Sequence, residues 1–189
     1  MCNDLPETKM LEPRQLAVLG SPTRQRVLEI LCLKERTVGA LADDLGREAP
    51  SNLYYHLNKL VGSGLVKVVR SEQRRGAFEK YYRAVARRFS SPIGAGGKRA
   101  PGGLVDVAAS SAENALRDLT AAVDAGQVKS VDDLLLSRVI VRTSHEKSKH
   151  LRQKLESWLH ELCDADGEGD VELTAIAMMF PRASRESRE

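Results

Sequence analysis

Cysteine is scarce in this chain of 189 residues, and its three copies, Cys2, Cys32 and Cys163, lie far apart. That pattern suits a reducing cytoplasm, the expected location, better than a disulfide framework. Aromatic residues are few: three Phe, four Tyr and one Trp. Long hydrophobic runs are missing too, none approaching the ~18 residues that a membrane span needs. The opening residues MCNDLPETKM lack a basic patch followed by an apolar stretch, so no export signal is expected. What is present suffices for a folded protein: 42% hydrophobic residues can build a core, and 29% charged residues keep the surface polar. Those figures exclude collagen-like and wholly disordered classes, and the length fits one domain or two small ones.

Charge is unevenly divided. Residues 1–99 hold 18 Lys+Arg against 10 Asp+Glu, whereas residues 100–189 hold 11 against 16. The overall +3 thus hides a front of +8 and a rear of −5, which points to a polyanion-binding front. Between them, SSPIGAGGKRAPGG (90–103) has five glycines and two prolines. Such density opposes helix and strand alike, so 90–103 reads as a flexible linker between a domain at 1–89 and another at 104–189.

Four helical segments precede the linker. The first covers 14–19, and the second opens at Ser21-Pro22 and runs to Leu33, with Val27, Leu28, Ile30 and Leu31 available for a core. Thr37 caps a third, with Val38, Leu41, Ala42 and Leu45 at helical spacing, and Gly46 follows where a turn requires positive φ. The fourth, 50–62, places Leu53, Leu57 and Leu60 on one buried stripe. Ser51, Asn52, Tyr54, Tyr55, Asn58 and Lys59 must then face elsewhere, with His56 beside the stripe. Short hydrogen-bonding groups, phenols and a cation suit base edges and phosphates. Next come two β-rich runs, 65–70 and 78–85, joined by a polar turn tipped with Arg74, Arg75 and Gly76. This is a helix-turn-helix followed by a wing, whose arginines can reach phosphate or minor groove.

Together, LGSPTRQRVLEIL, RTVGALADDLG, PSNLYYHLNKLVGSGLVKVVR and RRGAFEKYYRAV resemble the winged-helix repressors of the arsenic-repressor-like (ArsR) superfamily over roughly residues 14–88. The resemblance implies a prokaryotic, dimeric transcription regulator whose fourth helix enters the major groove of double-stranded DNA. The family's founding members sense metals with a Cys-x-Cys pair, which would fall on Thr37 and Gly39. With neither thiol present, a branch that does not sense metals is expected, and Cys32 reads as a small core residue. The connection GREAPSN is a residue longer than the family's usual form, which changes the tilt of the reading helix. Asp43 and Asp44 are expected to point away from phosphates.

The rear reads as α-β-α-β. An Ala-rich helix over 104–125 has a stripe of Leu116, Leu119 and Val123 suited to a dimer interface or a core. A β-rich run at 134–142 follows, then a helix from a Thr143–Glu146 capping box to about Cys163, then a strand over 171–180. No chemistry is recognisable there. His145-Glu146 with His150 misses the zinc-protease spacing, and no phosphate loop, nucleophile elbow or calcium loop can be assembled. The sequence therefore predicts an α+β protein: a winged helix-turn-helix domain with a small αβαβ domain behind it. The expected activity is sequence-specific operator binding as a homodimer, with no catalysis, metal, cofactor or membrane association. The rear domain would dimerise and offers room for a small apolar or amphipathic effector. The alternative is a winged helix that docks proteins or binds chromosomes without sequence specificity.

Overall fold

The computed structural model describes residues 5–46, 49–74, 77–90, 101–130, 133–165 and 173–181. In chain order, β1 (Thr8–Met10) leads to α1 (Pro13–Val18), α2 (Pro22–Leu33), α3 (Val38–Asp44) and α4 (Pro50–Gly62). The long hairpin β2 (Val66–Arg74) and β3 (Ala77–Ala84) comes next, followed by β4 (Arg88–Ser90), α5 (Pro101–Asp124) and α6 (His145–Asp164). Packing divides the chain into two units, Met1–Arg117 and Asp118–Glu189.

The first unit is a winged helix-turn-helix. Proline at the first helical position opens α1, α2 and α4, where its missing N–H costs nothing. Thr37 caps α3 by accepting from the Ala40 N–H at 3.3 Å. Ser21 occupies the cap position of α2, but its hydroxyl makes no capping bond. Glu12 and Gln15 supply a capping box for α1, which starts at Pro13 rather than beyond it. Gly46 has φ +79° and ends α3 as expected.

A single aliphatic core holds these elements together: Val27, Leu28 and Leu31 of α2, Val38, Leu41 and Ala42 of α3, Leu53, Leu57 and Leu60 of α4, then Leu65, Val66, Tyr82 and Ala84. Full burial of one leucine contributes about 1.5–3 kcal/mol, so the three fully buried leucines of α4 anchor that helix firmly. The hairpin pairs Val66 with Ala84 and closes Arg74 on Ala77, with an irregularity between Val68 and Arg70. The strands extend past the expected 65–70 and 78–85 because the ladder continues to the turn. One pairing went unread in the sequence: β1 lies parallel to β4, Thr8 against Arg88 and Met10 against Ser90. Three residues are too few to display a strand period.

Two expectations for the rear need correction. The stretch 90–103 is not free of regular structure, since Ser90 ends β4 and α5 starts at Pro101, while 91–100 lie outside the described residues. Pro101 suits a first helical turn, and glycine at its start costs only about 1 kcal/mol each. Nor do the described residues of the rear include the two expected strands. Residues 134–142 and the described part of 171–180 carry no ladder, so the helices α5 and α6 are its only regular elements among the described residues. A β-rich run becomes a strand only when another edge accepts its backbone groups. Ser144, not Thr143, caps α6, accepting from the Lys147 N–H at 3.2 Å.

Candidate nucleic-acid interface

The fourth helix has two unlike sides. Leu53, Leu57 and Leu60 are fully buried, whereas Ser51, Asn52, Tyr54, Tyr55, Asn58 and Lys59 are exposed and His56 is half-buried. The side turned to solvent therefore carries hydroxyls, carboxamides, phenols and an ammonium, with no carboxylate. Tyr54 and Tyr55 are 52% and 57% exposed, so neither is a core aromatic. Lys59 Nζ lies 5.6 Å from the centre of the Tyr55 ring, and the His56 ring meets that ring edge-on at 5.4 Å. This stack fixes Tyr55 against its own helix, leaving its hydroxyl for a partner. Burial pushes the Tyr82 phenol up in pKa, and the neighbouring Tyr54 phenol adds to the rise.

Glycine governs how α4 ends. Gly64 has φ +70°, its N–H bonds to the Val61 carbonyl at 2.9 Å, and the Leu65 N–H reaches back to Leu60 at 3.0 Å. That paired closure caps the orphan carbonyls and turns the chain straight into β2. The wing is thereby tied to α4 through three residues. Its base is reinforced by Arg70, which stacks 3.4 Å over the Tyr81 ring and pairs with Glu35 and Glu72, while the Tyr81 hydroxyl donates to Glu72 at 3.0 Å. Of the wing-tip residues, Arg75 and Gly76 lie outside the described residues, and Arg74 is placed only by its register. Lys67 on β2 and Lys80 on β3 are exposed cations that the sequence reading did not single out. Asp44 is held by Arg36 at 2.7 Å, which takes its charge up internally.

Support for α4 from behind was also missed. Buried Gln15 of α1 donates from Nε2 to the Ser63 carbonyl at 2.9 Å, and its Oε1 accepts from the Glu12 N–H at 2.9 Å. Lys9 of β1 donates to the Gly64 carbonyl at 3.1 Å, placing a cation at the negative end of α4. The E-x-x-Q capping pattern at 12–15 was visible in the sequence; its reach to residue 63 was not.

Cys32 is half-buried against the core, and burial together with Glu29 pushes its thiol up to about 12. A thiol held protonated is a poor nucleophile and a poor metal ligand. Among the described residues no group of three His, Cys, Asp or Glu side chains is placed to hold a metal, and no helix is long and apolar enough to cross a membrane.

Residues 19–69 match the helix-turn-helix domain family. The fold of this segment is a helix-turn-helix. The match spans α2, α3, α4 and the start of the wing, so the polar side of α4 belongs to a DNA-binding architecture of the kind that transcription regulators use. No curated protein matches the chain. Among solved structures, HlyU from Vibrio cholerae is 25% identical, with 39% of this chain and 73% of that one covered and a TM-score of 0.32. Rv0081 of M. tuberculosis is 27% identical, with 59% and 86% covered and a TM-score of 0.31.

Proposed function

We propose that this chain is an ArsR-like regulator of the branch that does not sense metals, binding operator DNA as a homodimer through α4 and the wing. The observation that carries the reading is the two-sidedness of α4: leucines wholly buried on one side, and Ser51, Asn52, Tyr54, Tyr55 and Lys59 exposed on the other. A surface helix without a ligand would favour Glu and Lys there. In this reading residues 1–89 bind DNA, 90–103 connect, and 104–189 dimerise. Asn52 and Ser51 read base edges, His56 and Lys59 reach the backbone, and Arg74 and Arg75 bind phosphate at the wing.

The dimer is supported by α5. Its inward side is polar: Gln25 of α2 donates to the Val107 carbonyl at 3.1 Å, Ser111 donates to Gln25 at 3.1 Å, and Asn114 donates to the Pro22 carbonyl at 3.2 Å. Val107 packs against the core, whereas Val105 and Leu116 face away, being 65% and 64% exposed. Val105, Ala109, Ala112, Leu116, Leu119 and Val123 alternate spacings of four and three, the seam of a helix pair. A palindromic operator needs two reading helices roughly 34 Å apart, and one chain presents one. A small amphipathic effector would act by changing how the two copies are held.

Footprinting on the region upstream of the protein's own gene, against a random duplex of equal length, tests this. A protected palindrome is expected. Equal affinity for both duplexes would instead support the docking or chromosome-binding alternative, for which the exposed Tyr54–Tyr55 pair is the available anchor.

A further inference from the structure

Among the described residues of 118–189 none is buried, so they form no core by themselves. Two segments without helix or ladder hold most of its exposed large apolar side chains. In 134–142, Leu135, Leu136 and Val139 are 93%, 86% and 78% exposed; in 173–180, Leu173 and Phe180 are 77% and 75% exposed. Neither segment pairs with any described strand. Side chains on both faces of 173–180 are apolar, which is the composition of a strand covered on two sides and not of a solvent-facing edge.

We propose that a second copy of this chain supplies the missing partner: segment 134–142 of one copy forms a ladder with 173–180 of the other, so the rear core is built from two chains. The inference rests on the dimer reading and adds where and how the copies interlock. Three observations select a second copy. The seam on α5 is compatible with its own duplicate, and Leu134 lies only eleven residues beyond the last seam residue, Val123, so a parallel pair of α5 helices brings both first segments to one end. The surface involved is the right size. Eleven exposed large side chains in the two segments, at on the order of 100 Å² each, amount to roughly 2,000 Å² over two copies, the scale of a stable interface. Charge argues against self-pairing. Segment 134–142 holds Arg138 and Arg142 and no acid, whereas 173–180 holds no charged residue. Pairing the first segment with itself would set arginines against arginines. The open cleft of about 530 Å³ lined by Val128, Lys129, Ser130, Leu134 and Leu136 is then filled by the partner's chain.

The test uses full-length Ile140→Cys/Ile176→Cys protein prepared in ordinary and ¹⁵N-labelled form, mixed in denaturant and refolded together. A short bis-maleimide is added, and peptides linking positions 140 and 176 are identified by mass. Mixed heavy–light linked peptides are expected. Linked peptides of one isotope only would show pairing within a single chain and overturn the proposal, as would a monomer by light scattering with no link at all. An Ile176→Asp variant should raise the dimer dissociation constant at least about tenfold while low-salt binding to a random duplex persists. If mixed links form but no operator is bound, the regulator reading fails alone. If an operator is bound and the links stay within one chain, this inference fails alone.

Discussion

Asn52 stands in the first turn of α4, exposed, with a carboxamide whose donor and acceptor match the edge of adenine. Replacing it with alanine should cost about 1–3 kcal/mol on the operator and almost nothing on a random duplex. Titrations of parent and Asn52→Ala on both duplexes measure this. If no substitution across 51–59 altered specificity, docking through α4 would be wrong. Cys32 makes a contrasting prediction. With its thiol at about 12 against an ordinary 9.0, the folded protein keeps a proton that the unfolded chain releases. The stability tied to this group is therefore complete below pH 9 and declines as pH rises from about 9 towards about 12. Iodoacetamide at pH 8 should leave Cys32 unmodified in native protein and label it in urea, as peptide mass mapping would reveal.

Elements act through what they hold in place. The wing and α4 are joined at Gly64, so both should contribute to binding, but differently. Changing Arg74 and Arg75 to alanine removes two cations, should weaken operator and random DNA alike, and should make the log-affinity versus log-salt slope shallower by nearly two units. A loss confined to the operator would assign the pair to base reading. Behind α4, Gln15 bonds the carbonyl of Ser63 from 48 residues away. Gln15→Ala leaves that acceptor and the Glu12 N–H without their partner, and should lower stability by about 1–3 kcal/mol in a urea titration. Rescue by Gln15→Glu is not expected, because a carboxylate cannot donate to a carbonyl.

The whole molecule divides its charge between a basic front and an acidic rear, and on the ArsR-like reading proposed above a sensor's thiol pair would fall on Thr37 and Gly39, neither of which is cysteine. Micromolar zinc, cadmium or arsenite should therefore leave operator affinity unchanged, measured by fluorescence anisotropy with and without metal. Release of DNA by metal, abolished in Cys32→Ser, would reassign that thiol as a sensor.

How far the sequence reached follows from the range of each signal. The bounds of α4, the cap at Thr37, the positive φ of Gly46 and the leucine stripe are local, set by φ restriction, capping and a 3.6-residue period, and all appear where the residues place them. The polar set from Ser51 to Lys59 follows, because a helix with one side buried must expose the other. Other features depend on segments far apart in the chain. Periodicity shows that Leu116, Leu119 and Val123 share a side of α5, but not that Ser111 and Asn114 would take the inward one. β-propensity marks 134–142 and 171–180 as strand formers, yet a ladder requires a second edge, and no described strand lies beside either. Local backbone physics is written residue by residue in the sequence. Which faces meet was decided only by packing between distant elements, because the free energy of burial depends on what lies opposite.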